Sequence, residues 1–191
     1  PLVKQLLETY PKHAILLTHA TPTGREAGEQ LFPADQYPQV MRCYLPYDTP
    51  SAVARFLNYF KPSIGLLMET ELWFNLIAAC KRKNVPLLLV NARLSERSAR
   101  GYAKVGKLTE DALKSLAAIA AQSEQDAIRF SSLIKGDAQK VSVMGNLKFD
   151  VTAPQGETER GRYLRGLLGI DRPVFLAAST RDGEEKLILN A

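Results

Sequence analysis

Two glutamates follow an apolar run in the first half of the sequence. In the stretch GLLMETELWFN (65–75), Glu69 and Glu71 flank a threonine and come just before the only tryptophan of the chain. Alternation along a strand would direct both side chains the same way, toward the edge of a sheet. Two carboxylates there suit a site where positive charge develops or where a hydroxyl must be oriented. Alternatively, they cap the following helix, because carboxylates favour helix N-termini.

A cation-rich stretch, NARLSERSARGYAK (91–104), begins at the end of the next apolar run. The cations farther along it, such as Arg100 and Lys104, fit a solvated helix face. The polar residues nearest the apolar run are better placed to bind a phosphate or to pair with the two glutamates. Together with Glu71, these candidate substrate-binding residues are Asn91, Arg93, Ser95 and Arg97.

Two other polar stretches also follow apolar runs. HATPTGRE (19–26) stands at a predicted helix entry, where backbone N–H groups and the helix dipole favour an anion or a sugar. An ordinary turn with a helix cap is the alternative there. MGNLKFD (144–150) contains Lys148, a compact cation suited to neutralising a leaving phosphate, unless it is a plain linker residue. The candidates in the first of these stretches are Thr21, Thr23, Gly24 and Arg25.

A last polar stretch, STRDGEE (179–185), combines hydroxyls, an arginine and a glycine at a predicted helix entry. These residue types suit a phosphate or nucleotide cradle, although the stretch matches neither the Walker A nor the G-x-G-x-x-G fingerprint. The candidate nucleotide-binding residues are Ser179, Thr180, Arg181 and Glu184.

Composition and charge narrow the classes of protein. Hydrophobic residues make up 46% and charged residues 24%, as in a soluble globular protein. The net charge of +5 fits a solvated basic surface, or one that faces an anionic membrane or a phosphorylated substrate. No nucleic-acid motif accompanies it, so we expect no nucleic-acid partner. We also expect no metal, no cofactor and two buried free thiols, because metal-ligand spacing is lacking among Cys43, Cys80, His13 and His19.

Alternation of short apolar runs with longer amphipathic segments predicts an α/β fold, a Rossmann-like parallel sheet with helices on both faces. The predicted strands are 13–20, 40–45, 63–68, 86–92, 117–123 and 140–145. The predicted helices between them are 51–60, 72–84, 97–116 and 124–134, with Pro50 at the start of the first and a capping box of Ser123 and Asp126 at the last.

The chain is expected to contain two domains. Residues 1–150 form a Rossmann-like N-terminal domain, and 151–172 form a polar linker that leads into a helix at 157–168. Residues 173–191 begin a second α/β domain with a strand at 173–179. We treat the chain as a fragment, because it begins with Pro1 and stops inside an amphipathic pattern. No apolar run approaches the roughly 20 residues needed to span a bilayer.

The stretches above resemble, in order and spacing, those of one family. TPTG, LPYDTPSAVARFL, METELWFN, NARLSERSARGY, GNLKFD and STRDGEE are similar to the 3-deoxy-D-manno-octulosonic acid (Kdo) transferases of lipopolysaccharide synthesis, over essentially the whole chain. The resemblance implies a two-domain glycosyltransferase of the B fold, with an acceptor-binding N-terminal domain and a C-terminal nucleotide-sugar domain. The implied reaction transfers Kdo from CMP-Kdo to a lipid A precursor at the cytoplasmic face of the bacterial inner membrane, whose anionic surface is a further partner.

The resemblance also implies roles for individual residues. The family's transition-state-stabilising positions fall on Glu69 and Lys148, whereas its general-base glutamate would lie upstream of Pro1 and most of its CMP site beyond Ala191. The fragment by itself is therefore expected to be inactive. Two positions depart from the family pattern: Phe74 stands where a proline is usual, and Arg181 where many members have histidine.

Two other functions fit the residues. One is another B-fold sugar transferase or epimerase that uses a UDP-sugar, which binding of UDP rather than CMP would distinguish. The other is a non-catalytic α/β binding module in which both glutamates are helix caps.

Overall fold

The computed structural model describes residues 1–136, 138–150 and 156–191. The chain divides into two compact units, Pro1–Val151 and Thr152–Ala191. The first five residues of the predicted linker, 151–155, lie outside the described residues.

The first unit contains parallel β-sheets built from the apolar runs of the sequence. Strands β1 and β2 form a two-stranded sheet, and β3 to β6 form a four-stranded sheet in the order β3-β4-β5-β6. All pairs are parallel, so the carboxyl ends of β3 to β6 meet along one edge. The strands are β1 (Ile15–His19), β2 (Val40–Tyr44), β3 (Gly65–Met68), β4 (Leu87–Ala92), β5 (Ala118–Ala121) and β6 (Val141–Val143).

Helices connect and flank these strands, which confirms the predicted α/β class. The helices of the first unit are α1 (Leu2–Thr9), α2 (Pro22–Leu31), α3 (Pro50–Phe60), α4 (Phe74–Arg82), α5 (Glu96–Val105), α6 (Lys107–Ser115) and α7 (Glu124–Ile134). Short 3₁₀ helices follow at Ala138–Lys140 and Leu147–Asp150. Pro50 occupies the first turn of α3, as predicted, because its fixed φ suits that position.

The main core lies between the four-stranded sheet and its helices. Leu89 of β4 and Ile119 of β5 are fully buried there, with Ile77 of α4 and Phe130 of α7. A smaller core of Leu7, Phe32 and Val40 lies beside the two-stranded sheet. The strands of the larger sheet, whose carboxyl ends meet along one edge, are therefore well packed against the helices.

One long helix predicted at 97–116 is instead two helices, so that prediction was wrong. Gly106, with φ 61° and ψ −117°, ends α5 and begins α6. A positive φ costs glycine little, whereas it is strained for other residues. The side chain of Thr109 then donates to the carbonyl of Tyr102 at 3.0 Å, which holds the two helices across the break.

The second unit differs from its predicted structure in one element. It contains α8 (Glu157–Leu168), as predicted, and α9 (Glu184–Leu189), but the predicted strand at 173–179 is absent. Within the described residues of that unit no other strand offers backbone hydrogen bonds to this segment. Phe175 and Leu176 are 82% and 81% exposed, so its apolar side chains pack against little. An apolar segment forms a stable strand only when a neighbouring strand can pair with it.

Candidate active site

The carboxyl ends of β3 to β6 and the loops that follow them form what we call the carboxyl edge. At its first strand, β3 ends at Met68, and Glu69 adopts the left-handed conformation with φ 60°. The expectation that strand alternation would align Glu69 with Glu71 is therefore wrong, because the strand stops before both. The backbone N–H of Glu69 donates to the carbonyl of Val90 in β4 at 3.0 Å, while its side chain is exposed.

Thr70 connects the loop after β3 to two other elements by hydrogen bonds. Its hydroxyl donates to the carbonyl of Arg93 at 2.5 Å, and its own carbonyl accepts from the hydroxyl of Tyr102 on α5 at 3.2 Å. A phenol is protonated at neutral pH and can donate, and burial raises the pKa of Tyr102 further. The backbone beside Glu69 is thus held from β4 and from α5.

The start of α4 is capped by a residue from another loop. The carboxylate of Asp48 accepts from the backbone N–H groups of Asn75 and Leu76 at 3.0 and 2.9 Å. The carbonyl of Asp48 also accepts from the side-chain amide of Asn75 at 2.6 Å. This residue was not among the predicted site residues, although it lies inside the LPYDTPS stretch.

Because Asp48 caps α4, neither Glu69 nor Glu71 is needed as the cap of that helix. Glu71 accepts from the indole N–H of Trp73 at 2.9 Å, and both glutamates are exposed. Phe74 is the first residue of α4 and packs partly buried against the core.

The loop after β4 carries the predicted residues Arg93 and Ser95, and the predicted Arg97 lies in the first turn of α5. All are exposed, and the hydroxyl of Ser95 caps α5 by accepting from the N–H of Ser98 at 3.1 Å. The loop is anchored from beneath by Asp126, which the sequence reasoning assigned only to a cap. Its carboxylate accepts from the N–H of Leu94 at 2.8 Å.

The predicted capping box at α7 is confirmed for its serine and corrected for its aspartate. The hydroxyl of Ser123 accepts from the N–H of Asp126 at 3.2 Å, as a helix cap should. The carboxylate of Asp126, however, bonds the hydroxyl of Ser123 and the N–H of Leu94, and not the backbone N–H of Ser123. A cap of α7 therefore also supports the carboxyl edge.

Lys148 follows β6 and is exposed in the 3₁₀ turn Leu147–Asp150. Its neighbour Leu147 donates its backbone N–H to the side-chain oxygen of Asn91 at 3.2 Å. Glu69 is bonded to Val90, the residue before Asn91. The segments that carry Glu69 and Lys148 therefore attach to consecutive residues of β4, although they leave from the two outer strands of the sheet.

The predicted residues Thr21, Thr23, Gly24 and Arg25 follow β1, in the cap and first turn of α2. Together with the carboxyl end of the two-stranded sheet, they form what we call the second edge. The hydroxyl of Thr21 caps α2 by accepting from the N–H of Gly24 at 3.1 Å. The guanidinium of Arg25 lies 5.3 Å from the ring centroid of Tyr44, a cation–π distance. Thr23 is exposed.

His19 lies beneath the second edge, against α2. Its Nε2 atom is buried and has no hydrogen-bond partner in the described structure. A Cβ at Gly28 would lie 2.7 Å from the Cε1 atom of His19, so only glycine fits there without movement. Burial lowers the pKa of His19, and the charges of Arg25 and Arg42 lower it further.

The predicted nucleotide-binding residues lie in the second unit, where they bond mainly to one another. The backbone N–H of Arg181 donates to the carboxylate of Glu184 at 2.9 Å. The hydroxyl of Thr180 donates to the carboxylate of Glu185 at 2.5 Å, and that bond lowers the pKa of Glu185. Ser179 has a left-handed backbone, with φ 59°.

The described part of the chain contains neither a group of metal ligands nor a membrane-spanning helix. Among residues 1–136, 138–150 and 156–191, no three His, Cys, Asp or Glu side chains are grouped as a metal ion requires. Cys80 is buried, whereas Cys43 is only half-buried, and burial raises the pKa of both thiols. No helix in the described part of the chain is long and apolar enough to cross a membrane.

Comparison with known proteins identifies the family. Residues 1–151 match the family model described as 3-deoxy-D-manno-octulosonic-acid transferase (kdotransferase). The chain belongs to the Kdo transferase family. The predicted resemblance is thereby confirmed.

Curated Kdo transferases align with the whole chain. It is 42% identical over 192 positions to the 3-deoxy-D-manno-octulosonic acid transferase of Bordetella pertussis, and all of it is covered. It is 38% identical over 191 positions to the enzyme of the same name from Haemophilus influenzae, again over its full length. The chain spans 43% and 44% of the length of these two relatives.

A solved structure shares the fold. The chain is similar to a crystal structure described as a putative UDP-N-acetylglucosamine 2-epimerase from Listeria monocytogenes, with a TM-score of 0.50 and 17% sequence identity. The similarity covers 80% of this chain and 45% of that one. At this identity it bears on the α/β fold and not on the reaction.

Proposed function

We propose that the full-length protein transfers Kdo from CMP-Kdo to a lipid A precursor, and that residues 1–150 form its acceptor-binding domain. Membership of the Kdo transferase family supports this reaction. The single structural observation that supports it most is the attachment of the Glu69 and Lys148 segments to consecutive residues of β4. An acid and a cation on one sheet edge are the groups that this chemistry requires.

The roles of the two residues follow from the charges that develop during transfer. As CMP leaves, the anomeric centre of the sugar gains positive charge and the departing phosphate gains negative charge. The carboxylate of Glu69 stabilises the oxocarbenium-like sugar, and the ammonium of Lys148 offsets the charge on CMP. Both side chains are exposed at the edge, where a substrate can reach them.

Binding is the role proposed for the other polar residues. Arg93, in the loop bonded to Thr70, and Arg97, in the first turn of α5, attract the anionic groups of the substrates, and Glu71 and Ser95 also contribute to binding. The second edge, with Thr21, Thr23, Gly24 and Arg25, contributes to holding the phosphorylated acceptor. Ser179, Thr180, Arg181 and Glu184 belong to the nucleotide-binding part of the whole enzyme.

We place the reaction at the cytoplasmic face of the inner membrane, where the acceptor lipid and anionic headgroups are available. The chain carries a net charge of +5, which favours an anionic surface.

The test is an assay of the full-length protein with CMP-Kdo and a lipid A precursor, followed by mass spectrometry of the lipid. We expect a product heavier by whole Kdo units, and CMP binding that is stronger than UDP binding. A preference for UDP and a UDP-sugar would contradict the proposal and favour the alternative transferase or epimerase. Residues 1–191 assayed by themselves should form no product.

A non-catalytic binding module is the remaining alternative, and Glu69→Ala distinguishes it. Loss of transfer by a variant that unfolds like the wild type supports catalysis. Unchanged transfer with reduced stability would support a structural role for Glu69.

A further inference from the structure

We propose that Gln122 is a positioning residue that, through Asn91 and Asn146, holds Lys148 at the working position on the carboxyl edge. This inference rests on the proposed function, in which Lys148 acts on the leaving phosphate. Gln122 directly follows β5 and is distant in sequence from both Glu69 and Lys148. Nothing in its immediate sequence marks it for this role.

The centre of the arrangement is an irregularity in β4. Pairing with β5 joins Leu89 to Ile119 and Ala92 to Ala121, so β4 has one residue more than β5 over that interval. Asn91 lies in this bulge with φ 52° and is 4% exposed. Bulges redirect side chains and occur frequently beside active sites.

The bulge allows Asn91 to bind three separate groups. Its carbonyl accepts from the side-chain amide of Gln122 at 2.9 Å, and its side-chain oxygen accepts from the N–H of Leu147 at 3.2 Å. Its own N–H lies 3.4 Å from the sulfur of Met144. Asparagine adopts a left-handed backbone more readily than most residues other than glycine, and these contacts hold Asn91 in that conformation.

Gln122 makes a second hydrogen bond through the oxygen of its side-chain amide. Its Oε1 atom accepts from the side-chain nitrogen of Asn146 at 3.2 Å. The side-chain oxygen of Asn146 in turn accepts from the backbone N–H of Lys148 at 3.0 Å. Gln122 therefore bonds to Asn91 on one side and to the Lys148 turn on the other.

The consequence concerns the direction in which the chain leaves β6. This strand is one of the two outer strands of the sheet, and it pairs with β5 and not with β4. The bonds of Asn91 and Gln122 bring the turn to β4, whose preceding residue, Val90, holds the backbone of Glu69. Loss of the Gln122 amide would leave Lys148 present but displaced.

The experiment compares Gln122→Ala with Gln125→Ala in the full-length protein, since Gln125 is an exposed glutamine on α7 nearby. We expect Gln122→Ala to lower kcat at least about tenfold with little change in KM, because a displacement of about 1 Å can cost on the order of 10²-fold. Gln125→Ala should match the wild type.

A second pair of variants tests whether Gln122 acts through Lys148. In a Lys148→Ala background, Gln122→Ala should change kcat less than about twofold, because residues that act as a unit are not additive. An equal fall in kcat in both backgrounds would contradict the inference, as would an unchanged kcat in the single variant.

Hydrogen exchange separates this inference from the proposed function. Mass spectrometry of a peptide covering 144–150 should show faster amide exchange in Gln122→Ala than in Gln125→Ala, whatever reaction the enzyme performs. Unchanged exchange there would overturn the positioning role even if Kdo transfer is confirmed. A wild-type enzyme without Kdo transfer but with the exchange difference would instead refute the proposed function and retain Gln122 as the support of the turn.

Discussion

The two sheet edges of the first unit hold their polar residues in different ways. On the carboxyl edge, side chains bond to elements far away in sequence, as Asn91 bonds to Leu147 and Thr70 to Arg93. On the second edge, Thr21 bonds inside its own helix and Arg25 stacks over Tyr44. Fixed positions are what stabilising a transition state requires, whereas attraction of a phosphate needs only nearby cations. The difference therefore supports our proposal that the chemistry takes place at the first edge and that the second edge contributes phosphate binding.

The largest effect expected from a supporting residue is that of Asp48→Ala. It removes the acceptor of the Asn75 and Leu76 N–H groups, so α4 and the preceding Glu69 loop lose an anchor. We expect the free energy of unfolding to fall by about 1–2 kcal/mol in urea denaturation. We also expect Kdo transfer to fall at least about tenfold, as for other displaced active-site groups.

Asp48→Asn is the matched control for that change. It keeps one acceptor oxygen, so it should recover part of both the stability and the rate. If Asp48→Ala transferred Kdo as fast as the wild type, the function of the carboxyl edge would not depend on the hydrogen bonds that hold α4. That result would contradict the contrast drawn between the two edges.

Gly28→Ala tests how the second edge is held. The added methyl would meet the ring of His19 at 2.7 Å, so we expect a loss of about 1–3 kcal/mol in the free energy of unfolding, as for other overpacked sites. Gly101→Ala on α5 is the control, because a Cβ there meets nothing within 4 Å. It should stabilise the protein by about 0.5–1 kcal/mol.

A double variant decides whether the clash with the ring is the cause. His19→Ala combined with Gly28→Ala should cost less than the sum of the single changes, because the clash is then gone. Strict additivity would show that Gly28 is needed for a different reason.

The smallest expected effect is a pH dependence of stability from His19. Its pKa is lowered in the folded protein, so below about pH 6.5 the unfolded chain binds more protons than the folded one. Stability should therefore fall as pH falls through that range. Urea denaturation of His19→Gln should show a weaker fall than the wild type, with the exposed His13→Gln as control, and an identical pH profile would contradict this assignment.

The strands of the first unit were predictable from the sequence, whereas the contacts that support the site were not. An apolar run such as the one ending at Met68 forms a buried strand because of its own residues, whatever residues follow it. Such a strand can therefore be predicted from the local sequence. The Asn75 to Asp48 and Leu147 to Asn91 bonds join residues 27 and 56 positions apart. No local pattern encodes such a pairing.

Two local errors have local physical causes. The break at Gly106 lay inside an amphipathic pattern that continues on both sides, so only the positive φ of the glycine marks it. The run at 173–179 has the composition of a strand but no partner strand in the described part of its unit. Glu69 and Lys148 were predicted as site residues because polar groups follow apolar runs, whereas Gln122 and Asn146 look like ordinary loop residues.

The most direct measurement compares Kdo transfer by Glu69→Gln and Arg25→Gln in the full-length enzyme, with kcat and KM determined for each. We predict that Glu69→Gln lowers kcat by about 10²-fold or more, as for lost transition-state stabilisers, and unfolds like the wild type. Arg25→Gln should raise KM for the acceptor and leave kcat near the wild-type value. A near-normal kcat in Glu69→Gln, or a collapse of kcat in Arg25→Gln, would contradict the assignment of the chemistry to the four-stranded sheet.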